Sequence, residues 1–578
     1  MKIVKYIRNI LSGLYLSIKR FPLTILFSAS VAAVLIVISE TNPKEDILAR
    51  IAMTLALGIP LSLCIKLFFE KKEEKSIYKL LLGYIGGALF IILYYFLFLK
   101  TREMVPITRY IAVSLALYLC FLFISHLLKK EQFEMYVITV FTGFFITIIY
   151  SIVLYLGLSA ILFTIDKLLG IKILGKVYYY TWLFVVFIFA VSYFLSGIPL
   201  KNQELTVKAY PKLLRVLLLY IVMPLLTAYT IILYIYFGKI IITAHWPIGI
   251  VSHLVLWYSV IVTIVLFFIT PIKDENPWQN KFLKFSPKII LPLLIMMFIS
   301  IGIRINAYGV TERRYFVVIL GVWLFLMMLY LSFTKKHRNI IIPLTLSIVT
   351  LISVFGPLSS YSISKMSQNN RFEKILIKDN MLKDGKLQSS PNIPKEDKAE
   401  ISSILDYFNR NHNLKDVKYL PQNFKLDDMD KVFGFSFVAP SYGPTGEYFT
   451  FMRNQSENTL DISGYDYLFD TRTLNSSANA LSSPLSASYN YETAVVKVNY
   501  KGIEIYNKNL NSFVKNLIDK HGLFSKENSL SPEEMTLVEE NEKIKVKFIF
   551  LNISGNKNPP IGNVDAKGIE FYMLVKIK

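Results

Sequence analysis

Cysteine is nearly missing from this chain of 578 residues: there are two, Cys64 and Cys120, and both lie inside apolar runs. No disulfide framework can form in the polar C-terminal part, and no thiolate metal cluster can be assembled. The two histidines of that part, His412 and His521, lack metal-ligand spacing, so no metal and no cofactor are expected. G-x-S-x-G, H-E-x-x-H and a phosphate loop are all absent, and no catalytic residue stands out. Acidic residues are scarce in the first part. Of 63 Lys+Arg and 41 Asp+Glu, residues 360–578 hold 28 and 27, leaving 35 and 14 before them. The positive excess therefore sits beside apolar segments. That excludes a nucleic-acid reading of the high pI and points to basic loops flanking membrane helices.

Hydrophobic residues make up 54% of the chain and the mean hydropathy is +0.46, too apolar for a soluble globular protein. Runs of about 18 or more apolar residues recur up to position 356. Eleven spans are predicted, near 21–39, 47–69, 77–99, 110–128, 136–164, 178–199, 214–237, 248–270, 286–304, 315–334 and 340–357. Residues 1–20 read as an interfacial amphipathic helix, with Ile3, Ile7, Ile10 and Leu14 on one face and no small-residue cleavage site. Residues 21–358 form the multi-pass membrane domain, 359–392 a polar linker, and 393–578 an extracytoplasmic α+β domain. The fold class is thus a polytopic all-α membrane domain followed by an α+β domain. Lys and Arg favour one set of loops by about two to one, which places the N-terminus in the cytoplasm and, with an odd span number, the C-terminal domain outside. An Ile-, Lys-, Asn- and Tyr-rich composition fits a bacterial cell membrane.

Within the spans, Gly83 and Gly87 read as a small-residue helix contact. His126 reads as interfacial and His253 as held by a structural hydrogen bond. Asp166 pairs with Lys167 at a boundary. Pro224 bends its span. Trp246 of "HWPIG" anchors an interface.

The most specific stretch is "RINAYGVTERRYFVV", residues 304–318, leading into "WLFLMMLYL". Together with "YPKLLRVLLLYIVMPLLTAYTIILYIYFGK" and "WPIG", its Y-G-x-T-E-x-R-Y core resembles bacterial multi-pass membrane proteins grouped only as a domain of unknown function. That resemblance implies an integral membrane protein. It brings no catalytic residues with it.

The chemistry of the stretch is legible independently. Tyr308–Gly309 signals a turn. Thr311 can cap the helix entering at Tyr315, and Glu312 complements its dipole. Arg304, Arg313 and Arg314 gather where basic residues are usually scarce. One expectation is a capped helix start in which Glu312 pairs with an arginine and the others snorkel. The other is an anion or partner patch of Arg304, Tyr308, Gly309, Thr311, Glu312, Arg313, Arg314 and Tyr315. Its partner would be an anionic lipid headgroup of the bilayer or the protein's own outer domain.

In the C-terminal part a helix is predicted over 395–411, another near 510–520, and strands at "VFGFSFV", "YFTFM", "ETAVVKVNYKGIEIYNKN", "KIKVKFIFLNIS" and "GIEFYMLVKIK". Asp461, Asp466, Asp470 and Arg472 read as a surface turn and not a calcium loop. The function expected is non-enzymatic binding or sensing at the cell surface. The alternatives are a transporter and a membrane glycosyltransferase-like enzyme using Glu45 or Asp46.

Overall fold

The computed structural model describes the chain except residues 1–11, 42–45, 72–75, 128–132, 201–202, 204–205, 208–209, 244–245, 247–249, 274–275, 335–337, 439–446, 455–458, 472–483, 492, 522–528 and 559–562. The predicted N-terminal amphipathic helix lies largely outside the described residues; residues 12–20 are helical.

Ten helices among the described residues are long and apolar enough to cross a membrane. They are α1 (Pro22–Thr41), α2 (Ile47–Lys71), α3 (Ile77–Phe98), α4 (Met104–Ile124), α5 (Phe133–Leu168), α6 (Gly175–Ser196), α7 (Lys212–Thr243), α8 (Ile250–Ile269), α9 (Pro277–Tyr308) and α10 (Glu312–Phe333). They match the first ten predicted spans. The eleventh differs: α11 is Ile341–Ile352, only 12 residues. At 1.5 Å per residue it covers about 18 Å, short of the ~30 Å hydrocarbon layer. Gly356 at φ +79°, followed by Pro357, stops any extension. The segment nevertheless runs from one end of the helical unit to the other. Asn339, before it, donates to Glu134 at the start of α5 (2.9 Å). After it, Val354 O accepts from Arg109 at the start of α4, and Leu358 O from Tyr315 at the start of α10. Pro22 and Ser359 thus lie at opposite ends of the bundle.

Local chemistry explains several joints. Asn276 caps α9 by accepting from Trp278 N at 3.0 Å, with Pro277 at the first helical position. Pro224, which cannot donate back to its helix, follows a π-helical segment, Leu217–Val222. Gly83 and Gly87 let α3 press on α2: a Cβ at Gly83 would meet Phe69 at 2.7 Å, and one at Gly87 would meet Ile65 at 2.8 Å. His126 bonds Ser125 and lies against Phe133 and Tyr136. His253 is exposed on α8. Asp166 pairs with Lys167 at 3.2 Å, and Asp46 is taken by Arg102 at 2.7 Å.

The chain divides into two compact units, Met1–Pro391 with Ile404–Gly434, and Asn392–Ser403 with Phe435–Lys578. The stretch expected as a linker, 359–392, contains helix α12 (Ser360–Lys378) and a small hairpin, β1 (Leu382–Lys383) with β2 (Lys386–Leu387). Helix α13 (Lys395–Asn411) is where it was predicted, but its second half belongs to the first unit. That unit also takes in α14 (Met429–Phe433), which ends at left-handed Gly434. "VFGFSFV", predicted as a strand, is therefore helix and coil. Its Phe433 packs against Phe372 of α12 and Phe424, a cluster that hydropathy alone cannot tell from a strand face.

The second unit is built on a long hairpin, β10 (Ile544–Asn558) and β11 (Asn563–Ile577). β11 also pairs β4 (Tyr467–Asp470). β10 pairs β9 (Thr536–Glu540) along its first half and β3 (Glu447–Arg453) along its second, and β3 is joined in parallel by β8 (Ser529–Leu530). β5 (Leu485–Asn490), β6 (Val495–Tyr500) and β7 (Ile503–Asn509) form a second, antiparallel sheet. Helix α15 (Asn511–His521) closes the core with Val514, Leu517 and Ile518, together with Phe449, Phe451, Phe548, Phe550 and Phe571. Asp461 serves a local turn by accepting from Ser463 N, whereas Asp466 accepts from Ile577 N at the end of β11; Arg472 is outside the described residues.

Candidate functional site

Helix α9 is 32 residues long, about 48 Å, and outruns the hydrocarbon layer. Its last turn, the 309–311 turn and the start of α10 carry the motif. Gly309 adopts φ +68° and ψ 179°, a region open to glycine alone. A Cβ there would meet Arg371 Cδ at 2.5 Å and Gln368 Nε2 at 2.9 Å.

Those neighbours belong to α12. Its buried positions Tyr361, Ser364, Gln368, Phe372, Ile375 and Leu376 recur at helical spacing. The upper part of this stripe is polar because it reads backbone. Gln368 Nε2 donates to Tyr308 O (3.1 Å) and Val310 O (2.9 Å), and Arg371 donates to Tyr308 O (2.8 Å). Ser367 Oγ accepts from Val310 N (2.9 Å). One residue on, Asn369 donates to Asp416 O and accepts from Lys418 N, fixing the loop after α13. Arg314 completes the turn, donating to Tyr308 O (3.0 Å) and Gly309 O (2.7 Å) with its guanidinium 5.4 Å from the Tyr308 ring. It caps the C-terminus of α9, where a cation is favoured; the predicted snorkelling does not apply to it.

Two further expectations change. Thr311 holds the N-cap position with extended backbone, but its side chain makes no capping bond. Glu312 pairs with neither Arg313 nor Arg314. It is buried, 7% exposed, and Oε1 accepts from Tyr407 Oη at 2.5 Å and meets His412 Nε2 at 2.6 Å. Tyr407 and His412 also contact each other at 3.0 Å. Burial, and then the Glu312 carboxylate, push the Tyr407 hydroxyl well above the ordinary tyrosine range. Sequence spacing missed both partners because they stand 95 and 100 residues away. The one available signal was an amphipathic helix that carries Tyr407 and is followed directly by His412.

The motif letters thus have separate tasks. Tyr308 supplies an acceptor carbonyl, Gly309 the backbone turn, and Thr311 the extended entry. Glu312 holds α13, Arg314 caps α9, and Tyr315 bonds Leu358 O at 2.5 Å. Arg313 is exposed and, among the described residues, pairs with no carboxylate. Arg304 Nε is buried without a hydrogen-bond partner there. Arg304 and Arg371 both lie close enough to Arg314 to repel it.

Residues 26–387 match the family model described as a domain of unknown function, DUF4153. The chain belongs to this family. The match covers α1 to β2, the motif included, and so the membrane helices and α12. An uncharacterized protein of Pasteurella multocida (strain Pm70) is 24% identical over 264 residues, which span 45% of this chain and 45% of that protein. The chain therefore spans less than half the length of this relative. No solved structure matches it. The ten membrane-length helices make the chain a multi-pass membrane protein, and the DUF4153 assignment brings no reaction. Among the described residues no group of three or more His, Cys, Asp or Glu could hold a metal.

Proposed function

We propose that this DUF4153 protein is a non-enzymatic binding or sensing protein of the bacterial cell membrane that recognises an anionic group at the motif-bearing end of its helices. The carrying observation is charge imbalance. Arg304, Arg313, Arg314 and Arg371 gather around one turn, while Glu312, the carboxylate of that turn, is occupied by Tyr407 and His412. Arg314 and Arg371 are committed to backbone carbonyls. Arg304 and Arg313 remain for a ligand, and guanidinium forks suit phosphate or carboxylate. The ligand favoured by this location is an anionic lipid headgroup. We place this end outside the cytoplasm and the N-terminus inside, on the loop charge bias and the opposite-end positions of Pro22 and Ser359.

The purified full chain in detergent, titrated with short-chain phosphatidylglycerol and phosphatidylcholine, should prefer the former. Arg304→Ala/Arg313→Ala should weaken that preference at least tenfold without shifting thermal unfolding. Equal binding of both lipids by the wild type would end this reading.

A further inference from the structure

The loop after α13 folds back on the last turn of that helix and leaves a cleft of about 180 Å³. Its lining includes three asparagines, Asn409, Asn413 and Asn423, with His412, Lys415 and Phe424. The cleft is held in shape from below. His412 Nε2 is held by Glu312 and Tyr407, which fixes the residue where it lines the cleft. Asn413 Oδ1 accepts from Lys415 N at 3.0 Å, and Asn423 sits at φ +66°, a conformation asparagine tolerates better than most side chains.

Charge decides the ligand class. Lys418 is balanced by Glu373 at 3.2 Å, and Asp416 by Lys365 at 3.3 Å. Lys415 pairs with no carboxylate among the described residues, so the cleft carries one uncompensated ammonium. A metal ion would be repelled, and a neutral polyol would leave the charge unbalanced. The volume holds about six water-sized groups at ~30 Å³ each, the size of a small amino or hydroxy acid. We propose that this cleft binds a small carboxylate-bearing molecule, its carboxylate on Lys415 and its hydrogen-bonding end on the asparagine amides. Occupancy is transmitted to the membrane domain, because His412, which lines the cleft, holds Glu312, the first residue of α10. This site is independent of the arginine reading.

The test titrates the purified full chain with sodium lactate and, separately, glycerol by calorimetry, and follows hydrogen exchange of residues 308–315. Lactate should bind saturably and glycerol should not. Lys415→Met, at an exposed position, should weaken lactate at least tenfold with thermal unfolding unchanged. Arg304→Ala/Arg313→Ala should bind lactate as the wild type does. Lactate should slow exchange over 308–315 in the wild type; in Glu312→Gln or Tyr407→Phe it should still bind, with the slowing lost or reduced. Unsaturable lactate binding, equal glycerol binding, or unchanged affinity in Lys415→Met overturns the site. Equal slowing in both Glu312→Gln and Tyr407→Phe overturns the transmission.

Discussion

Glu312 and His412 meet at 2.6 Å, a hundred residues apart in sequence, and both side chains are nearly sealed from solvent. The contact ties the first turn of a membrane helix to the end of a helix outside the membrane-spanning set. Tyr407 shares the same carboxylate oxygen.

Removing the phenol hydroxyl should therefore be felt in stability. A hydrogen bond to a charged group contributes about 1.5–3 kcal/mol. Tyr407→Phe keeps the ring contact with Phe408 and should cost about that much. His412→Ala should cost more, about 3–5 kcal/mol, since it strips a buried carboxylate of a partner. Thermal or denaturant unfolding in detergent ranks the two; the reverse order would contradict the arrangement.

Gly309 and Gly86 make a paired test. Gly309→Ala forces a side chain into a glycine-only backbone region at about 1–3 kcal/mol, before its clash with Arg371 is counted. Gly86 lies in α3 with open space around it, so Gly86→Ala should be neutral or stabilising. A loss of folded yield confined to Gly309→Ala is the expected result.

Thr311→Ala should change stability by less than about 0.5 kcal/mol. A functioning threonine cap would cost ~1 kcal/mol, and here the side chain makes no capping bond. A drop of the larger size would restore the capping role.

The Tyr407 hydroxyl is raised by burial and by Glu312, so the native state favours its neutral form. The stability it contributes is fully present below the ordinary tyrosine value of about 10 and falls as pH rises beyond it toward the raised native value. Unfolding measured from pH 8 to pH 11 should show an alkaline loss that is smaller in Tyr407→Phe. Identical alkaline limbs would refute the coupling.

The fragment 435–578 should fold alone. It omits residues 404–434, whose Phe408, Phe424 and Phe433 are buried within the helical unit. A cooperative unfolding transition for 435–578, and aggregation of 390–578 through those three rings, is the expected contrast.

Much of the architecture is legible in the sequence. Apolar length alone located ten membrane helices, because a bilayer demands about 20 apolar residues per crossing whatever their neighbours. Alternation marks β6 and the first half of β10, where one face is more deeply buried than the other. Helix α12 reads as a linker in sequence because the first half of its buried face carries Ser360, Ser364, Gln368 and Asn369, which hydropathy scores as exposed. Gln368 and Asn369 are buried because each bonds backbone groups, a reason visible only once the 308–310 and 416–418 backbones lie beside them.

The motif divides the same way. Sequence by itself determined that residues 304–315 are charged, turn-forming and placed at the end of a membrane helix, since those properties follow from residue type and local order. Which groups the charges meet was decided by tertiary structure alone. Arg314 stays with the turn it follows. Glu312 turns away from the adjacent arginines to partners brought from residues 407 and 412, because a buried carboxylate is held by whichever donors the fold delivers to it.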